Sequence, residues 1–231
     1  MRRRAGKPGV TLLWIHAGLL VLSRKAIRRL LLVLALLSLS NPPAHAADPP
    51  AGSIGRLNYA GFKAARHCTA FLVGARVAVT AAHCVARLRA ADLHLLLGYD
   101  KGAWREHLRP VEVTRDAGGA DLAVLCLEAA AAAVAFPWAE AAPRPGETLV
   151  VWGYGRPRIH ALTRRDCPVL ASARREIALD CAVAPGTSGA PVLRPTGTGY
   201  EVVAVVSAAR GRAAIAVRPQ AAETGAASCG D

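Results

Sequence analysis

From Arg56 onward, apolar and polar positions follow one another in short runs instead of helical stripes. Residues 56–59, 68–73, 76–80, 94–98, 107–114 and 121–127 form a first set of runs. They are rich in Val and Leu and are closed by Gly or charged turns, which predicts strands. Residues 129–142 are alanine-dominated and contain Pro137, and they read as the connection between two halves. A second set follows at 147–153, 168–171, 176–179, 190–193, 201–207 and 213–217. Outside the N-terminal leader no stretch sustains a 3.6-residue period. Two sets of about six short strands around a linker predict an all-β fold of two six-stranded antiparallel β-barrels. No internal repeat, P-loop, dinucleotide fingerprint or paired-Cys zinc pattern is present, so no cofactor and no metal are expected.

Composition sharpens this in two places. The formal charge of +13 suggests a nucleic-acid or other anionic partner until it is located. Residues 1–46 hold eight of the 29 Lys and Arg and no acid, leaving 21 bases against 16 acids, a surplus of +5. That is an ordinary solvated surface, so no nucleic acid is expected. The N-terminal segment instead reads as a targeting signal. It has a basic stretch at 24–29, an apolar stretch at 30–39 too short to span a bilayer, and a small-x-small cleavage site at Ala44-His45-Ala46. A second apolar patch at 11–22 lengthens this leader, as if translation began near Val21. The divisions expected are a leader at 1–46, a flexible segment at 47–53, a first barrel at 54–136, a second at 137–219 and a tail at 220–231. The mature chain is expected to be secreted or periplasmic, with no stable membrane span. Six cysteines in an exported chain point to disulfides, in one of 15 pairings.

Two stretches carry candidate chemistry. In Ala184-Pro185-Gly186-Thr187-Ser188-Gly189-Ala190-Pro191-Val192, glycines flank Ser188 and permit a sharp turn whose N–H groups converge. A serine there can attack a carbonyl while the amides hold the oxyanion; a plain β-turn fits the same residues. In Val79-Thr80-Ala81-Ala82-His83-Cys84, a strand ends in small residues that leave room for His83 to face a cleft. The hairpin between Cys68 and Cys84 brings those two cysteines side by side, so they are expected to pair.

Thr80-Ala81-Ala82-His83-Cys84 with Cys68, then Asp121-Leu122-Ala123-Val124-Leu125, then Gly186-Thr187-Ser188-Gly189-Ala190-Pro191 resemble, in that order, the chymotrypsin-like serine peptidases. The likeness is nearest to their bacterial, glutamyl-endopeptidase-like branch and covers about residues 54–218. The order His, Asp, Ser separates the pattern from α/β-hydrolases and subtilisin-like enzymes. The resemblance implies an exported serine endopeptidase acting on polypeptides as a monomer, with the active site in the cleft between the two barrels. It makes His83 the general base, Asp121 its orienter, Ser188 the nucleophile, and the Gly186 and Ser188 N–H groups the oxyanion hole. Asp121 also opens an apolar run, which suits a carboxylate at a strand end beside a cleft. Asp116, five residues earlier in a Gly-rich turn, reads as a solvated turn residue.

The resemblance further implies a Cys167–Cys181 bridge beside the substrate pocket. Cys126 alternates with Leu122 and Val124, which points it into the first barrel. It either bridges to Cys229 or stays a buried thiol. Thr187 stands where animal trypsins carry an aspartate, and Ser53-Ile54-Gly55 only faintly resembles an activation sequence, so no zymogen-type salt bridge is expected. Ala190 stands where glycine is usual and would crowd the turn slightly. Ala182, Val183, Val206, Ser207 and Ala208 are the expected substrate-binding residues. Their apolar character predicts a pocket for small or medium uncharged side chains, because a charge there would be poorly paired. The competing function is a protease-fold binding protein that meets anionic surfaces through Arg174, Arg175, Arg210 and Arg212.

Overall fold

The computed structural model describes residues 51–59, 66–116, 118–219 and Cys229. The leader, its cleavage site and the rest of the tail lie outside the described residues. The chain divides into residues 1–45 and 46–231, and every described residue belongs to the second unit.

The first seven strands are β1 (Ile54–Tyr59), β2 (His67–Gly74), β3 (Val77–Thr80), β4 (Leu93–Leu97), β5 (Glu106–Leu108), β6 (Pro110–Arg115) and β7 (Ala123–Leu127). They form one curled sheet in the order β5-β4-β1-β2-β3-β7-β6. Seven strands replace the expected six because the run at 107–114 is divided at Arg109. Leu108 pairs with Leu95 of β4, whereas Pro110 pairs with Leu127 of β7. The two outermost strands are thus one residue apart in sequence, and this link curls the sheet back on itself.

The remaining six strands are β8 (Thr148–Gly153), β9 (Thr163–Ser172), β10 (Glu176–Leu179), β11 (Pro191–Pro195), β12 (Tyr200–Arg210) and β13 (Ala213–Val217). They close into a barrel in the order β10-β13-β12-β11-β8-β9. Residues 128–147 connect the two sheets without a helix, and Ala139 N–H donates to Val202 C=O at 2.8 Å. Among the described residues no helix is long and apolar enough to cross a membrane.

Burial follows the period of two that a half-buried strand imposes. Leu57, Leu72, Leu95, Leu97, Leu125 and Leu127 fill the curled sheet, while Leu149, Val151, Val169, Leu179 and Val203 fill the barrel. A third cluster joins them, with Ile54, Phe71, Val79 and Leu96 packed against Val150, Leu193, Val202 and Val205. On β7, Ala123, Leu125 and Leu127 face the first core. Cys126 has the opposite parity, so it points away from that core, which corrects the expectation. It bridges to Cys229, closing a sequence separation of 103.

The other bridges are Cys68–Cys84 and Cys167–Cys181, and no cysteine is free. Replacing Cys126 and Cys229 together by alanine is expected to lower unfolding free energy by about 4–5 kcal/mol, because the unfolded chain regains the freedom of a long loop. Denaturant melts of the pair variant check this, and an unchanged midpoint would mean the tether adds nothing.

Candidate active site

β3 ends at Thr80, and the chain turns through a single 3-10 turn at Ala82–Cys84. Ala81 is fully buried, and the Cys68–Cys84 bridge pins the turn to β2, so His83 is carried outward with its side chain half-exposed. Its Nδ1 lies 2.7 Å from Asp121 Oδ2, and its backbone N–H donates to Asp121 Oδ1 at 2.8 Å. A carboxylate only accepts, so this contact places the ring proton on Nδ1 and leaves Nε2 as a lone-pair base. Ser207 Oγ donates to Asp121 Oδ2 at 2.6 Å. Burial alone would raise the Asp121 carboxyl, but the hydrogen bonds from the His83 ring, Ser207 and the His83 N–H outweigh it and hold it at about 2. The hydrogen bond to Asp121 raises His83 above its usual value of 6.5, against a smaller lowering by burial.

Asp116 differs from its expected role. Its side chain is fully buried and paired at 2.7 Å with Arg175 from the turn before β10. Its carboxylate also accepts the Gly118 N–H at 3.2 Å and the Ala120 N–H at 2.5 Å. The turn is there, as the Gly-rich sequence suggests, but its acid faces inward because a cation from the other sheet meets it. Arg175 is therefore not available to an outside surface as the binding-protein reading requires.

Two consecutive β-turns meet at Thr187, and Ser188 stands in the second. Thr187 N–H donates to Ala184 C=O at 3.0 Å and Ala190 N–H to Thr187 C=O at 2.9 Å. The third residues of these turns are Gly186 (φ +101°) and Gly189 (φ +80°), and such a φ at that place is what a type II turn demands of glycine. Space requires glycine as well. A Cβ on Gly189 would lie 2.2 Å from both Thr69 O and Thr80 Oγ1, and one on Gly186 would lie 2.3 Å from His67 Nε2.

The turn is stitched to β2. Thr69 N–H donates to Ser188 C=O at 2.9 Å, and Thr69 Oγ1 donates to Gly186 C=O at 2.9 Å and accepts Tyr154 N–H at 3.0 Å. Gly189 therefore packs on the residues that lead into His83, and its N–H donates to Val206 C=O at 2.7 Å. Among the described residues, neither the Gly186 nor the Ser188 N–H donates to a backbone carbonyl. Nor does a hydrogen bond join Ser188 to His83 among them; His83 Nε2 lies 3.7 Å from Cys84 Sγ.

The expected pocket residues separate. Ala182 is exposed and Val183 half-buried, whereas Val206 is 1% exposed and belongs to the barrel core with Cys167. Ser207 gives its hydroxyl to Asp121, so it serves the base pair and not a substrate side chain. Ala208 lies on the exposed end of β12, pairing with Ile215 of β13 on one edge. A cleft of about 640 Å³ runs between Gly118–Gly119–Ala120–Asp121 and Ser207–Ala208–Ala209–Arg210. Ala190 causes no crowding: it is fully buried where Gly153 has no side chain. Thr69, Tyr154 and His67 were not singled out in the sequence, and only the adjacency of His67 and Thr69 to Cys68 hinted at them. Cys68, Cys84 and His83 lie close enough together to suggest a metal, but both sulfurs are in a disulfide and offer no thiolate.

Residues 68–205 match the family of the trypsin-like peptidase domain. No curated protein matches the chain. Among solved structures, the VesB protease of Vibrio cholerae is similar with a TM-score of 0.61 at 20% identity, covering 72% of this chain and 60% of its own. The secreted serine protease VesC of Vibrio cholerae aligns with a TM-score of 0.62 at 17% identity, covering 76% of this chain and 45% of its own. A Glu endopeptidase gives 0.64 at 17% identity, over 75% of this chain and 87% of that one. The chain thus spans less than two thirds of the length of either Vibrio protein, and the likeness at these identities is one of fold.

Proposed function

The chain belongs to the trypsin-like peptidase family, and from that premise we propose that it is an exported serine endopeptidase working through Ser188, His83 and Asp121 by way of an acyl-enzyme. The observation that carries this is the Asp121–His83 pair, which leaves Nε2 as a base beside a cavity that Gly186 of the Ser188 turn also lines. In this mechanism His83 Nε2 takes the Ser188 proton as Oγ attacks the scissile carbonyl. The oxyanion forms against the Gly186 and Ser188 N–H groups, each such donor being worth roughly 3 kcal/mol of barrier. The imidazolium then protonates the leaving amine, and water repeats the sequence to release the acid. The absent Ser188–His83 hydrogen bond is consistent with this, because such contacts tighten only when substrate is bound.

Polypeptide substrates would lay their acyl half along the open edge of β12 at Ser207–Ala208–Ala209, as an added strand. Residues 54–136 and 137–219 then form two functional halves, the first supplying His83 and Asp121 and the second Ser188. Three disulfides support an oxidising, secreted or periplasmic location for a monomeric enzyme. Maturation needs no new N-terminus at Ile54, which is fully buried and paired with Phe71 inside β1.

A serine-reactive phosphonate tests the reading. Wild-type protein is expected to take one label, and Ser188→Ala none. Labelling that survives the substitution, or fails in both proteins, would refute the nucleophile assignment and favour the binding-protein alternative.

A further inference from the structure

We propose that the leaving-group side of the cleft is an anion-preferring track, so that this protein cuts polypeptides with acidic residues just after the scissile bond. The inference rests on the peptidase reading of Ser188 and adds a substrate class to it.

A cavity of about 340 Å³ opens beside His83 and Gly186, walled by the Cys68–Cys84 bridge and backed by Leu57, Leu88 and Leu93. Arg66 and Arg156 also line it. Arg156 is shared with a second cavity of about 130 Å³ that carries Arg158, Arg164 and Arg165 and reaches Ala184 and Thr187 at the base of the Ser188 turn. Neither cavity is lined by an Asp or Glu among the described residues. Arg164 pairs with Asp166 at 2.9 Å, but Arg66, Arg156, Arg158 and Arg165 have no carboxylate partner among the described residues.

Direction comes from the two sides of the site. The cleft at Ser207–Ala208–Ala209–Arg210 has mixed charge, being lined by Asp121 and Glu176 as well as by Arg175 and Arg210. A chain whose acyl half lies there must pass Ser188 and leave on the other side, past His83 and Gly186, into the 340 Å³ cavity. That route keeps His83 beside the leaving nitrogen, as protonation of the amine requires. The departing segment then meets several guanidiniums without carboxylate partners in a concave, partly apolar setting, where a carboxylate gains attraction and a lysine is repelled. The ligand chemistry is a carboxylate, either an acidic side chain or a free C-terminus.

Fluorogenic peptides with one common acyl half, and Glu, Gln or Lys in the first two leaving positions, test this. The expected order of kcat/KM is Glu, then Gln, then Lys. Glu should exceed Lys by about tenfold at low salt, since exposed arginines contribute modestly one by one, and the ratio should shrink at high salt. In the combined Arg66→Gln and Arg156→Gln variant the Glu-to-Lys ratio should fall toward one. Amidated Glu peptides set beside neutral peptides with a free C-terminus distinguish the two carboxylate sources.

A flat ratio in wild type, or an unchanged ratio in the double variant, overturns the proposal. Binding of the same peptides to Ser188→Ala keeps the two readings apart. Acidic-over-basic binding without any wild-type turnover sinks the peptidase and leaves the track standing; turnover without preference does the reverse. Salt-sensitive binding of duplex DNA with no Glu-over-Lys difference would assign the arginines to nucleic acid and overturn it as well.

Discussion

Asp121→Asn is expected to lower kcat by about 10⁴-fold while leaving the protein folded. The asparagine amide can donate to His83 Nδ1, which would force the ring proton onto Nε2 and leave no lone pair to accept from Ser188. The substitution is nearly isosteric, and its remaining oxygen can still accept from Ser207 or the His83 N–H, so the loss falls on chemistry. The pH profile gives an independent reading. His83 must be neutral to act as a base, and its pKa lies above 6.5 because of Asp121. The acid limb of wild-type kcat/KM should therefore fall above 6.5, and the limb of the variant should move to lower pH. Stability follows opposite windows for the two groups. The His83 contribution is present below 6.5 and lost as pH rises through its folded value. The Asp121 contribution is present above 3.8 and lost as pH falls through about 2. A kcat within about tenfold of wild type, with an unmoved acid limb, would show that Asp121 does not orient the base.

The strands that burial makes were readable, and those that only hydrogen bonding makes were not. β10 and β13 fall where alternation puts them because each buries a face. β9 begins five residues before its expected start, at Thr163. Thr163-Arg164-Arg165-Asp166 bury no apolar face, yet they pair with β8 from Gly153 back to Val150. β12 likewise runs on through exposed Ala208, Ala209 and Arg210 along β13. The division at Arg109 is hidden because Leu108 and Pro110 continue one apolar pattern while pairing with different strands.

At the site, His83 and Ser188 stood out because small or glycine neighbours mark them, and Asp121 because it opens an apolar run and falls second in the order of motifs that the family resemblance implies. The groups that hold them did not stand out in that role, Ser207 having been expected to meet substrate instead. Thr69 meets Gly186 across 117 residues, and Ser207 meets Asp121 across 86. Contacts of that range leave no local trace in composition or period. Asp116 is the sharpest case: its local sequence describes the turn correctly, and its partner, 59 residues on, decides which way the carboxylate faces.

That partner carries the second large expected effect. Arg175→Met should cost about 3 kcal/mol of stability, because it leaves a fully buried carboxylate facing a thioether. It should also reach the chemistry. Asp116 binds the Gly118 and Ala120 N–H groups through its side chain, and its own N–H donates to Leu122 C=O at 3.0 Å, so the segment that carries Asp121 is closed on the carboxylate that Arg175 neutralises. With the cation gone, the buried Asp116 carboxylate loses its charge partner, and water entry or protonation there loosens the strand entry from which Asp121 reaches His83. Assays should be run well below the melting point, where the variant is fully folded. Under those conditions kcat should fall while KM for a common acyl half changes little, and the acid limb should move down as the Asp121–His83 bond weakens. Arg175→Lys, which returns the charge without the planar fork, should recover part of both effects. A melting shift with kcat and acid limb unchanged would mean the pair only fastens the curled sheet to the barrel. A fall in kcat that tracks the acid limb would make Arg175 a positioning residue, acting on the base from the opposite sheet.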